Sequence, residues 1–119
     1  MQDIIDTQLM IQSDLGHAPF STAGAAKMDY IRDLCLALNV EVAEVLQELP
    51  WKPWRKHEDQ LCNFEAARDE VSDIIIFAID IWLQLSPECE CTANLVDQIK
   101  AKQAICIERI KNKYNKTGD

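Results

Sequence analysis

Glu70-Val-Ser-Asp-Ile-Ile-Ile-Phe-Ala78 decides how this chain reads. It opens with two carboxylates three residues apart and runs straight into an apolar stretch. On an α-helix that spacing puts both acids on one face, one turn apart. A second piece, Glu41-Val-Ala-Glu44, repeats the device within Leu34 to Leu49. Both pairs sit among residues that otherwise look like core: Val42, Val45 and Leu46 around the first, Val71, Ile74, Ile75 and Phe77 around the second. Four carboxylates facing a common interior repel and desolvate one another at high cost. Something positive must lie between them. Hard divalent cations, Mg²⁺ or Mn²⁺, prefer oxygen ligands of this kind. The expectation is a metal cage of Glu41, Glu44, Glu70 and Asp73 between two packed helices.

The chain has 119 residues, which fits a single domain over 1–119. Hydrophobic residues make up 48%, enough for a core, and only 3 Gly and 4 Pro favour long helices over a turn-rich β fold. No apolar stretch approaches the roughly 20 residues of a membrane span. The N-terminus lacks the basic start and apolar run of a signal peptide, so a cytoplasmic location is expected. Cys35, Cys62, Cys89, Cys91 and Cys106 form no paired Cys-x-x-Cys units, which reads as reduced thiols rather than zinc ligands. A net charge of −8 argues against general nucleic-acid binding. Nine of the 12 basic residues fall in two places, Lys52 to Lys56 and Lys100 to Lys116. The C-terminal group reads equally as a solvated helix end complementing the dipole and as a contact to polyphosphate.

Taken in order, residues 3–14 read as a first helix, with Gln8 and Gln12 one turn apart and Gly16 as its stop. His17 to Gly24 is a loop, in which His17 reads as solvated or loop-bonded rather than as a ligand. Residues 26–49 keep a helical period and end at Pro50. Trp51-Lys-Pro-Trp-Arg-Lys56 has two equal readings. It is a helix connector with Trp51 or Trp54 plugging the core, or a rigid basic and aromatic loop over a ligand's phosphates and base. A third helix starts near Glu58 or Asn63, the latter as N-cap, and runs to about Leu85. Between Ile74 and Leu83 only Asp80 is charged, so this segment is expected to be buried on most sides. Asp80 reads as the partner of a lysine or an N–H rather than as a metal ligand. A fourth helix starts at Cys91 or Thr92, and Tyr114 to Asp119 reads as a polar tail. Four helices with short connections indicate an all-α, four-helix bundle. The apolar length of the third helix predicts a homo-oligomer, a dimer or a dimer of dimers.

Glu41-x-x-Glu44 followed by Glu70-x-x-Asp73 resembles the paired acidic motifs of the all-α nucleoside triphosphate pyrophosphohydrolases: the MazG-like proteins, the dCTP pyrophosphatases and the dimeric dUTPases. With Trp51-Lys-Pro-Trp-Arg-Lys56 between the pairs, the chain looks closest to the dimeric dUTPase branch. Residues 30–82 carry the likeness, and the first helix and tail match more loosely. The resemblance implies an enzyme in which Glu41, Glu44, Glu70 and Asp73 bind Mg²⁺ carried by the triphosphate. It implies cleavage between the α and β phosphates, giving a monophosphate and pyrophosphate. It places Lys52, Trp54 and Lys56 at loop contacts to nucleotide, Gln8 and Gln12 on the helix that helps to read the base, and Lys111 and Asn115 in a phosphate-contacting end. Dimeric dUTPases are usually much longer, so a base-reading site assembled with another subunit is expected, with dUTP first and dCTP second.

Phosphoryl chemistry independently asks for these residue types. Shielding the phosphate oxygens takes Mg²⁺ and cationic side chains, and activating water takes a carboxylate acceptor, Glu41 or Glu44. No Ser–His or Cys–His arrangement suggests a covalent intermediate. A di-iron bundle would need Glu-x-x-His, which neither His17 nor His57 completes. The other class of reading is a non-catalytic four-helix oligomer whose acidic pairs are salt-bridged to Arg32, Arg68 and the C-terminal lysines.

Overall fold

Hydrophobic periodicity, caps and breakers produce four helices, α1 (Gln2–Asp14), α2 (Gly24–Gln47), α3 (Phe64–Leu85) and α4 (Asn94–Thr117), in a computed structural model. It describes residues 1–21, 23–49, 51–54, 63–86 and 94–117. α1 stops where Gly16 takes φ +84°. The Gly16 N–H donates to the Ser13 carbonyl (3.1 Å) and the His17 N–H to the Gln12 carbonyl (2.9 Å). That pair of bonds closes the last turn in a Schellman motif, which only a glycine enters without strain. At the other end of the core, Asn63 Oδ1 accepts from the Ala66 N–H (3.0 Å) and caps α3.

The packed unit is made of α1, α2 and α3, with α3 in the middle. On α2 the shielded row is Tyr30, Leu34, Ala37, Leu38, Glu41, Glu44 and Val45, a helical repeat of three and four. On α3 the row Ala67, Glu70, Ile74, Phe77 and Ile81 repeats in the same way. Both rows are continuous, so the carboxylates stand in positions where core residues belong. The opposite side of α3 meets α1 through Ile5, Ile79 and Leu83, all at most 2% exposed.

Beside that apolar patch lies a buried polar network. Gln8 Nε2 donates to Asp80 Oδ1 (2.7 Å) and Gln12 Nε2 donates to the same oxygen (2.8 Å). Gln84 Nε2 donates to Gln12 Oε1 (3.1 Å) and to the His17 carbonyl (2.8 Å). Asp80 thus takes amide N–H groups as its partners, one of the two kinds expected from the sequence. His17 stacks on Tyr30, ring centroids 3.9 Å apart and 8° from parallel, which ties the loop after α1 to α2.

α4 departs from a compact bundle. Leu95 and Val96 pack against the Ile5–Ile79–Leu83 cluster, and every residue from Asp97 to Asn115 is exposed. The radius of gyration is 18.8 Å, against about 13–14 Å for a compact chain of this length. This corrects the expectation that Ile74 to Leu83 is buried on most sides: Ile75 is 47% and Ile76 40% exposed, because α4 does not fold over them. Several boundaries also differ: α1 starts at Gln2 rather than residue 3, and α2 starts at Gly24 rather than residue 26. α2 ends at Gln47 rather than Leu49, and Tyr114 to Thr117 continues α4 instead of forming a tail. The expected start of α4 at Cys91 or Thr92 lies outside the described residues.

Gln12 donates to a buried charge and is itself 1% exposed. Gln12→Ala should lower the unfolding free energy by about 2 kcal/mol, the usual scale for losing a hydrogen bond to an ionised group. A urea titration that leaves the midpoint unchanged would show that the network adds nothing to stability.

Candidate active site

Where α2 lies along α3, carboxylate oxygens of Glu41, Glu44 and Glu70 all come within 4.8 Å of one another. Their placement follows from the rows described above. Glu41 and Glu44 both fall on the shielded side of α2, and Glu70 occupies the matching position of α3. Glu41 Oε2 and Glu70 Oε2 are inaccessible to solvent, and among the described residues no N–H or hydroxyl group donates to either. Two orphaned acceptors in one spot carry an unmet demand for positive charge.

The cluster's proton affinity shows the same demand. The Glu70 carboxyl is pushed up to about 7, first by hydrogen bonding to Glu44 and Glu41, which requires a proton between the acids, and then by burial and their charges. Glu41 is also raised, chiefly by burial. Among the described residues, the charged groups acting on these two are carboxylates. Arg32, one cation available to neutralise them in a salt-bridged interior, pairs instead with Asp29 (3.4 Å) and Asp33 (3.1 Å).

Asp73 is exposed and stands outside the three-carboxylate group, although its charge reaches Glu41. The shielded row steps from Glu70 to Ile74, and Asp73 lies about 80° around the helix from the centre of that row. The loop after α2 also behaves differently from one of its readings. Trp51 is 48% and Trp54 70% exposed, so neither plugs the core. They meet edge to face with centroids 5.8 Å apart, and Lys52 Nζ lies 5.6 Å from the centroid of the Trp51 ring. Pro50, Arg55 and Lys56 lie outside the described residues. Lys111 and Asn115 are exposed on the far part of α4, outside the three-carboxylate group.

Gln8 and Gln12 sit at the Asp80 network, farther along α3 than the acids. Asp80 is raised by burial, with the two amides opposing the shift. Tyr30 is raised by burial and then by the charge of Asp80. Sequence reasoning missed Gln84 and Tyr30. Gln84 had a signal: with Asp80 it forms a polar i, i+4 pair inside an apolar run, the same spacing as Gln8 and Gln12. Tyr30 had none, because its partner stacks from a loop.

An all-α chain with a helix-borne cluster of hard carboxylates is the arrangement of the all-α nucleoside triphosphate pyrophosphohydrolases. The chain belongs to the dUTPase family, whose sequence model, described as dUTPase, matches residues 1–118. No curated protein and no solved structure matches the chain. At family level it is a nucleotide pyrophosphohydrolase, a hydrolase acting on nucleoside triphosphates. No helix among the described residues is long and apolar enough to cross a membrane.

The raised carboxyls fix a pH dependence for the metal-free protein. Glu70 binds its proton more tightly folded than unfolded, so stability is fully present below about 4.5 and is lost as pH rises toward about 7. The melting temperature in EDTA should fall across that window, and Glu70→Gln should flatten the fall. A melting temperature in EDTA that rises from pH 5 to pH 7 and is unaffected by Glu70→Gln would contradict the crowding of the three acids.

Proposed function

We propose that the chain is a single nucleotide-hydrolysing domain over residues 1–119, which cleaves a deoxynucleoside triphosphate to the monophosphate and pyrophosphate. dUTP is the favoured substrate and dCTP the next. The observation that carries the reading is the convergence of Glu41, Glu44 and Glu70 with two buried oxygens to which no N–H or hydroxyl group among the described residues donates. Hard oxygen donors of this number suit Mg²⁺, with Mn²⁺ as a substitute. Glu41, Glu44 and Glu70 would hold it, and Asp73, exposed at the edge, completes the set by a side-chain rotation. Bound Mg²⁺ neutralises phosphate charge and lends Lewis acidity to the site.

The chain's own groups do the rest. Glu41 or Glu44 accepts the proton of the attacking water as its oxygen bonds to the α-phosphorus. The bond from that phosphorus to the bridging oxygen breaks, and pyrophosphate leaves with the bonding pair. Lys52 and Lys56 neutralise and hold the phosphates, joined by Lys111 and Asn115 of a second copy of the chain, the latter through its amide N–H, and Trp54 stacks on the nucleoside, a contact worth roughly 1–3 kcal/mol. Gln8 and Gln12 lie where the base is expected. Asp80, which they hold, is seven residues past Asp73, about 10 Å along α3, a spacing that suits the reach from the phosphates to the base. Gln12 is committed on both its amide nitrogen and its oxygen, so its part is to position Asp80 and Gln84. The exposed apolar residues of α3 and α4 support a homodimer or homotetramer, and the site of action is the cytoplasm.

The test is pyrophosphate release from a panel of dNTPs, with Mg²⁺ and with EDTA. Mg²⁺-dependent release from dUTP, above dCTP, is the expected result. Glu44→Gln should lower kcat by at least 100-fold with unchanged helicity, since the loss of one positioned catalytic group costs on that order. Release that survives EDTA, or full turnover in Glu44→Gln, would overturn the assignment.

A further inference from the structure

The buried network between α1 and α3 is a chain of amides whose polarity is fixed from one end. Gln84 Nε2 uses both of its hydrogens, on the His17 carbonyl (2.8 Å) and on Gln12 Oε1 (3.1 Å). Gln12 Nε2 also uses both, on the Asp80 main-chain carbonyl (3.1 Å) and on Asp80 Oδ1 (2.8 Å). Main-chain carbonyls only accept, so neither amide turns over without setting oxygen against oxygen. The fold keeps this order at a cost. Gln84 Oε1 is buried, and among the described residues no N–H or hydroxyl group donates to it.

The order passes on to Gln8. Asp80 Oδ1 accepts from Gln12 and also from Gln8 Nε2 (2.7 Å). An ionised carboxylate oxygen only accepts, so the Gln8 amide meets it nitrogen first and its Oε1 is turned away. Gln8 is the member of the chain most open to solvent, 8% exposed against 6% for Asp80, 1% for Gln12 and 0% for Gln84. What the network offers outward is therefore an acceptor. We propose that Asp80 is a positioning residue that holds Gln8 with its Oε1 toward the base, so that the site takes a pyrimidine whose ring N3 carries a hydrogen. Uracil has that N–H. Neutral cytosine has a lone pair at N3, which meets Gln8 Oε1 acceptor to acceptor, and a site built to hydrogen-bond rejects such a mismatch. The inference rests on the nucleotide reading above, with the base at Gln8, and gives its base preference a physical cause.

The measurement is calorimetric binding of dUMP, dCMP and dUMP methylated at N3 to the full chain with Mg²⁺ at neutral pH. The wild type should bind dUMP at least about tenfold more tightly than either of the others. Asp80→Asn keeps a carbonyl oxygen where both glutamines donate and should retain that preference. Asp80→Leu and Gln8→Leu should bind the three nucleotides about equally, whereas a merely structural role for Asp80 would weaken all three alike and leave the preference in place. If Asp80→Leu loses its helical signal, Gln8→Leu carries the test, since it removes the oxygen that Asp80 orients. A preference that survives in Gln8→Leu, or in a folded Asp80→Leu, would overturn the proposal. So would a wild type that binds the three equally or binds none of them, or an Asp80→Asn variant without the preference. Pyrophosphate release from dUTP is read separately. Selective dUMP binding without release would overturn the hydrolase reading and leave the role of Asp80 standing, and release without a dUMP preference would do the reverse.

Discussion

Crowding of like charge between α2 and α3 is the constraint on which the rest depends. Each helix presents a shielded row at a repeat of three and four, and the rows pack because most of their members are apolar. Glu41, Glu44 and Glu70 interrupt those rows at matching heights. Packing therefore carries the acids together whether or not they attract, and Coulomb repulsion opposes it. The elements around the acids are well formed to bear this: α3 is capped by Asn63, and α1 braces it from the other side. A cluster that costs stability and holds orphaned oxygens is a sign of a binding site, since a purely structural interface would be better served by leucine.

The second buried charge shows what a structural solution looks like. Asp80 is 6% exposed, and both Gln8 and Gln12 donate to it. Its site is supplied with N–H donors, whereas among the described residues none reaches Glu41 Oε2 or Glu70 Oε2. The same helix thus carries one carboxylate that is satisfied by the fold and one that is not, nearly three turns apart. That contrast, more than the count of acids, separates the scaffold from the candidate chemistry.

Much of this was legible in the sequence because it follows from periodicity. Glu-x-x-Glu and Glu-x-x-Asp inside apolar stripes put carboxylates on buried faces, and Gly16 and Asn63 marked helix ends correctly. What the sequence did not carry was rotation and reach. Asp73 has the right spacing but stands off the row, and Trp51 and Trp54, large enough for the core, meet each other at the surface. The extended course of α4 was hidden for a related reason. An amphipathic helix shows that it needs a partner, and its pattern does not say in which chain the partner lies. The His17–Tyr30 stack joins residues with no periodic relation, so no pattern could have announced it.

The central claim is that the three glutamates form a divalent-cation site. Electron paramagnetic resonance of Mn²⁺ added to the nucleotide-free protein tests it most directly, because bound Mn²⁺ loses its sharp aqueous signal. The account predicts saturable loss of free signal at one site per chain, competed by Mg²⁺ and abolished in Glu41→Gln, Glu70→Gln with the helical fold retained. An undiminished aqueous Mn²⁺ spectrum, or equal binding by that double variant, would contradict it.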